Sequence, residues 1–529
     1  MPRLTRRGIV ATAVAAVPVV FIGVFFIWPL LVTAHRAIAG GPLAGQESVI
    51  PTHAIASAAL TTLTLASVGT ATTLAVGLPA TWALFRRPFP GARLIAATLT
   101  APFVLPTVVV ALAFLTVQRD VLPALGWRHG VPAIIAALAF FNVAVVVRTV
   151  GPALAGLDER LIAAARTLGA SPVSAARTVI WPAVRRAVWG ATAVTFLFCA
   201  TSFALVLVLG GTRVQTLETA AYQELTAFLD LRGAALIALV QACLIAVVAA
   251  VVSMVSRRGA GPVTQTAPVR LAARARNVVP ITVALLPAVV LVAVPIVALV
   301  RRSLLGASGY SFDAYRALAG GEHGIAEPLV TSVWIALIAA AVAMVVAAAT
   351  VAAAALHPGA RWVQTLSVGP LAVSSIVVGV GLLVALAVPL RSWGHTGIYV
   401  LLIAAQALVA VPLVVRILAP ALEGIDPRLR AAAATLGASP LVVVWRVVVP
   451  RMRGAIASAC GLAFAVAVGE FGASVFLARP AAPTLPTTIV RLLGRPGADN
   501  LATASAGAVV LAVLAGGVMM LADGSRRTP

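Results

Sequence analysis

The sequence predicts an all-α polytopic membrane protein of about 12 transmembrane helices in two parallel six-helix repeats. Three observations carry this. The 529-residue chain is 61% hydrophobic and only 10% charged, with a mean hydropathy of +1.07; a soluble domain carries about 25% charged residues. Many apolar runs exceed the roughly 18 residues that cross a bilayer. The second part of the chain repeats the first.

The first apolar run, Ile9 to Val32, follows Arg3, Arg6 and Arg7. It is too long for the apolar core of a signal peptide, about 7–15 residues, so it reads as the first span. Clusters of Arg, Pro and Gly then divide the chain. Candidate helices of the first half run 9–34, 55–85, 94–117, 131–150, 187–209 and 233–255. Those of the second run 278–300, 329–356, 364–389, 398–419, 455–478 and 501–522.

The repeat is plain in VVVRTVGPALAGLDERLIAAARTLGASP (145–172) against LVVRILAPALEGIDPRLRAAAATLGASP (413–440): 19 of 28 positions are identical at a constant offset of 268. The same offset pairs Gly91 with Gly359, Pro102 with Pro370 and Pro182 with Pro450. An even number of helices per copy makes the copies parallel, related by an axis along the membrane normal. The expected organisation is a first half, 1–255, with a loop at 156–186, then a polar linker, 256–277, then a second half, 278–529, with a loop at 424–454. The Arg-rich linker tethers the halves and attracts anionic lipid.

The formal net charge of +23 would suggest nucleic acid in a soluble chain. Here no Lys occurs, and the arginines collect at helix ends. With the N-terminus inside, 26 of the 38 basic residues fall on the cytoplasmic side, against 5 of the 15 acids. That asymmetry puts both termini and both repeated loops in the cytoplasm, with no nucleic acid as partner. Cys199, Cys243 and Cys460 lie in apolar runs without metal-ligand spacing and read as small buried hydrophobes. The His residues are scattered singly, so no metal site is expected.

The repeated loops are the main features outside the spans. In each, an Ala-rich stretch (Ala163, Ala164 and Ala165; Ala431, Ala432 and Ala433) should be helical. Gly169 or Gly437 can then take the left-handed conformation that ends a helix. Ala-Ser-Pro follows, with Ser able to cap and Pro able to open a second helix. That helix is expected to end near Pro182 or Pro450.

This loop resembles the signature of binding-protein-dependent ABC permeases: EAA, three residues, Gly, nine residues, Ile-x-Leu-Pro. The Gly-to-Pro spacing matches in both copies. Val179 and Val447 stand at the Ile position, and Ala163 and Ala431 replace the usual Glu. Further segments, FRRPFPGAR (85–93), FFNVAVVVR (140–148), TSFALVLVLGGTRVQTLETAAYQ (201–223) and VGEFGASVFL (468–477), are similar to fused permeases for iron(III) and thiamine. Molybdate and sulfate permeases share the GEFG-like segment but have one half per chain. The resemblance implies a type I ABC importer permease of a bacterial plasma (inner) membrane. Two copies of an ABC ATPase subunit and an extracytoplasmic solute-binding protein would be its partners. Iron(III) is the first candidate cargo, and thiamine or another small solute the alternative. A P-loop needs Gly-Lys-Ser/Thr to hold phosphate, and the chain has no Lys. It is therefore expected to be a transport subunit without enzymatic activity or cofactor, with ATP and Mg on the partner ATPase.

An acid inside a membrane is costly and marks a functional candidate. Glu470 lies within helix eleven; the offset sets it opposite Ser202, and Phe471 opposite Phe203. These four could form a pathway or gate near the two-fold axis, although a carboxyl hydrogen-bonded between helices would explain Glu470 as well. Asn142 fits either a pathway position or an interhelical hydrogen bond. Gly210, Gly211, Thr216, Glu218 and Tyr222 fall on the outer side after helix five, as outer-gate residues, a binding-protein contact or a solvated loop. A secondary transporter with parallel halves is the rival class, but it would not need the two loops.

Overall fold

The computed structural model describes residues 6–39, 52–86, 89–121, 130–257, 278–306, 309–319, 325–479 and 482–524. In the first half the chain forms α1 (Val10–Ile38), α2 (Thr52–Arg86), α3 (Ala92–Val104), α4 (Thr107–Asp120), α5 (Gly130–Ala155), α6 (Glu159–Thr167), α7 (Pro172–Ala200), α8 (Phe203–Gly210), α9 (Leu217–Thr226) and α10 (Leu231–Arg257). A matching series follows: α11 (Val278–Ser303), α12 (Asp313–Ala319), α13 (Ala326–Leu356), α14 (Pro358–Leu371), α15 (Ser375–Leu386), α16 (His395–Glu423), α17 (Pro427–Thr435), α18 (Val444–Val468), α19 (Ser474–Leu477), α20 (Leu485–Leu493) and α21 (Ala498–Gly524). Among the described residues, ten helices are long and apolar enough to cross a membrane, and twelve if each bent pair counts once.

Those bent pairs correct the expectation of unbroken third helices at 94–117 and 364–389. The chain turns by 108° between α3 and α4, and by 98° between α14 and α15. At the first bend Pro106 lacks an N–H and disfavours helix at Leu105, which is extended (ψ 135). At the second, Ser374 caps α15 by accepting from Ile376 N at 3.3 Å.

The fifth helices, expected at 187–209 and 455–478, are also interrupted. α7 ends at Ala200 and the chain restarts at Phe203; α18 ends at Val468 and restarts at Ser474. In the other direction they are longer than expected. The second helix of each repeated loop does not stop at Pro182 or Pro450; α7 runs straight through Pro182. A π-turn just before each proline, Ala176–Ile180 and Val444–Val448, shifts the hydrogen-bond ladder where the ring removes a donor.

Within each half, the second, fourth and fifth helices pack together: α2 on α5, α5 on α7, and in the second half α13 on α16 and α16 on α18. The first helices cross over. α1 packs on α13 and α15 of the second half, and α11 packs on α2 and α4 of the first. Each half is thus clasped by the other's first helix. The region 256–277, read as the linker, lies outside the described residues beyond Arg257.

Close approach rests on small residues, as expected where lipid removes the hydrophobic drive between helices. A side chain at Gly77 of α2 would meet Val146 of α5 at 3.1 to 3.4 Å. Val146 is buried and stiff at χ1. Gly77→Leu should therefore cost about 1–3 kcal/mol by overpacking. It should lower the thermal midpoint of the purified protein, whereas Gly516→Leu, with open space around it, should leave that midpoint unchanged.

Candidate functional site

The breaks in the two fifth helices come together at the centre. Phe203, just past the first, stacks on Phe471, within the second, at 5.6 Å between ring centroids and 12° between planes. The 268-residue offset relates these two rings, so the stack sits where the repeats face each other. Beside it lies a cavity of about 200 Å³, lined by Phe103, Phe141, Phe198, Thr201, Ser202, Phe203, Ser375, Glu470 and Phe471 among others. Phe103 is 6.0 Å from Phe141 and 6.2 Å from Phe198, and the Arg148 guanidinium lies 5.5 Å over the Phe103 ring. Four predicted pathway residues, Glu470, Phe471, Ser202 and Phe203, therefore line one cavity. Asn142 does not. It is buried in α5 and donates to Leu138 O at 2.9 Å and toward Cys199 Sγ at 3.5 Å, so it is a packing residue.

Why the chain can approach so closely here is written in Gly-Glu-Phe-Gly. A side chain at Gly469 would stand 2.8 Å from Pro106, at the α3–α4 bend of the other half. One at Gly472 would overlap Ser375 Oγ, at the start of α15. The segment is wedged between both bends.

Breaking a helix frees backbone groups that lipid cannot satisfy, and nearby side chains take them up. Glu470 accepts from Ala473 N at 2.8 Å, Ser474 N at 3.0 Å and Ser474 Oγ at 2.7 Å. It caps α19. At the first break, Gln241 of α10, buried, donates to Ala200 O at 3.2 Å, the terminal carbonyl of α7. Gln241 was not singled out from the sequence; a lone amide in an apolar run is its only trace there.

The residues expected on the outer face are not a solvated loop. After Gly211, which is exposed with φ 55, the chain turns back. α9 begins buried: Thr216 and Thr219 form a capping box, and Leu217 N donates to Thr62 Oγ of α2 at 3.0 Å. Gly210, Thr216 and Glu218 are buried. Glu218 accepts a hydrogen bond from Ser374 of the second half. Tyr222, half-buried, packs on Phe203 at 5.4 Å. α20 repeats the device, with a capping box at Thr484 and Thr487 and Leu485 N donating to Ser332 Oγ at 2.7 Å. The sequence signal was T-x-x-T after an extended stretch, recurring in the second half.

The repeated loops form hairpins at the far end of α7 and α18 from the cavity. α6 ends in a Schellman turn, with Ala170 N donating to Ala165 O at 3.0 Å, and α17 does the same through Ala438 N and Ala433 O at 3.0 Å. Gly169 (φ 88) and Gly437 (φ 79) are left-handed, as expected, with open space around them. Asp158 and Asp426 cap the first helices, each accepting from the second residue on at 2.9 Å. Leu168 and Leu436, next to the glycines, are 88% and 87% exposed, an apolar tip on each hairpin. Ala163, Ala164, Ala431, Ala432, Pro182 and Pro450 are exposed, while Ala165, Ala433, Val179 and Val447 are half-buried.

Comparison with known proteins adds relatives. The model of the family described as binding-protein-dependent transport system inner membrane component matches residues 74–259. The thiamine transport system permease protein of Brucella suis is 28% identical over 458 residues, covering 82% of this chain and 81% of the relative. Its Brucella abortus counterpart is equally similar. A permease protein of Salmonella typhimurium named for 2-aminoethylphosphonate transport is 27% identical over 241 residues, 42% of this chain and 84% of that relative.

The capping geometry gives Glu470 a test. Glu470→Ala strands two buried amides and should cost about 1–2 kcal/mol, seen as a lower thermal midpoint. Glu470→Gln keeps one of the two acceptor oxygens, so it should lose less stability than the alanine variant and retain transport. A folded Gln variant that is dead in transport would instead tie the charge to the cargo path.

Proposed function

Since the chain belongs to the binding-protein-dependent ABC importer permeases of the fused two-half type, we propose that it carries thiamine, or a cargo of similar chemistry, through the central cavity past the Phe203–Phe471 stack. The observation that carries this reading is the cavity itself. It lies where the repeats meet and is walled by five phenylalanines. Aromatic faces attract organic cations, and thiamine is a cationic heterocycle. The Brucella relatives named for thiamine transport match both halves of the chain. Iron(III), first in the sequence reading, gains nothing from the names of these relatives.

ATP hydrolysis belongs to partner subunits, two copies in this reading, and cargo is delivered by an extracytoplasmic binding protein. The hairpins at 156–186 and 424–454 are the contacts for those ATPases. Their exposed leucines offer an apolar tip to a partner groove, and the Schellman turn makes each hairpin stiff enough to transmit closure. Coupling requires contact that differs between the two transporter states. In this reading both termini and both hairpins lie on the cytoplasmic side of the inner membrane, the side that the arginine distribution favours.

The test is uptake into liposomes holding this chain with its ATPase and binding protein. Labelled thiamine should accumulate with ATP, and ferric iron should not. Gly169→Val with Gly437→Val should insert normally but lose most uptake, because β-branched residues resist positive φ. Wild-type uptake by that double variant would sink the coupling role, and iron uptake without thiamine uptake would sink the cargo.

A further inference from the structure

The duplicated halves meet along two seams that the repeat should make equivalent, one where α9 faces the second half and one where α20 faces the first. They are not equivalent. On the α9 side Ser374 Oγ donates to Glu218, both groups almost wholly buried at 3% and 2% exposure. The 268-residue offset places Pro486 opposite Glu218 and Pro106 opposite Ser374. Neither proline has a side-chain donor or acceptor. A second contact is one-sided in the same sense. Tyr222 packs edge-on against Phe476 of the second half at 5.8 Å, and the matching positions are Val490 and Val208. Both short helices are tied equally to their own half, α9 through Thr62 and α20 through Ser332.

We propose that Glu218 and Ser374 form a one-sided latch between the halves that holds Tyr222 against the Phe203–Phe471 stack. A continuous row of rings runs from Phe476 to Tyr222, Phe203 and Phe471, with neighbouring centroids 5.4 to 5.8 Å apart. The latch fixes the first turn of α9, and Tyr222 lies one turn further on, so the hydrogen bond sets where that ring stands. Parting the halves on the α9 side breaks a buried polar contact, which is costly because no water replaces it. At the matching positions on the α20 side, Pro486 and Pro106, no polar side chains have to part. The α20 side therefore loosens first, and Glu218 is a positioning residue for the stack. The latch as a feature of transport rests on the permease reading; its existence as a structural restraint does not.

Hydrogen exchange on the full chain in lipid nanodiscs, with neither ATPase nor cargo present, tests it. In the wild type, the amides of α9 should exchange more slowly than those of α20. Ser374→Ala and Glu218→Ala should each speed exchange in α9 and α8 by on the order of tenfold, the factor expected for one lost hydrogen bond. Exchange in α20 should not change. Glu218→Gln, whose amide oxygen still accepts from Ser374, should behave as wild type, and the double alanine variant should be no faster than either single one. If Glu218→Ala fails to insert, Ser374→Ala decides alone, since it removes one hydroxyl. Unchanged α9 exchange in the Ser374→Ala variant, or an equal gain in α20, overturns the proposal.

Discussion

A helix broken inside a membrane exposes carbonyl and amide groups to a solvent that cannot bond to them, and most of the central architecture answers that constraint. Four breaks converge on the same region: one between α3 and α4, its counterpart between α14 and α15, and those that interrupt the two fifth helices. Glu470 caps the restart at α19, Gln241 takes the last carbonyl of α7, and Ser374 caps α15. A buried acid and a buried amide, which look like ligands in a hydropathy plot, are thereby accounted for by the backbone they satisfy. What the breaks provide in return is a cavity and a pair of facing rings at the meeting point of the two halves.

Duplication explains the arrangement of the halves but not their differences. The crossing of α1 and α11 onto opposite halves, the paired bends and the paired re-entrant helices all follow the 268-residue repeat. Several polar side chains have no polar counterpart or a different one: Glu470 against Ser202, Glu218 against Pro486, Ser374 against Pro106, Gln241 against Val509. In a fused chain each position exists once, so the two sides of the axis are free to diverge. That freedom lets one side carry polar contacts and the other apolar ones.

Much of this was legible in the sequence. The span positions, the repeat and the left-handed glycines of the hairpins followed from hydropathy, offset and spacing. The breaks did not. Thr201 and Ser202 sit in an unbroken apolar run, and hydropathy has no term for a helix that stops and restarts at the same depth. The prolines misled in the opposite direction. Pro182 and Pro450 looked like helix ends, yet a π-turn carries the helix through. For Thr216, Glu218 and Tyr222 the sequence left an outer gate, a binding-protein contact and a solvated loop open, whereas a capping box and a cross-half hydrogen bond hold Thr216 and Glu218 in the interior. Tertiary partners, invisible in a single sequence, decide each of these cases.

The central claim is that Phe203 and Phe471, at the two broken helices, close the path between the halves. It is tested most directly by replacing both with Cys, in a background lacking Cys199, Cys243 and Cys460, and joining them with a short thiol cross-linker cleavable by reductant. Transport in the assembled, reconstituted system should stop on cross-linking and return on reduction. Cross-linked protein that moves cargo at the rate of the uncross-linked variant would contradict the account.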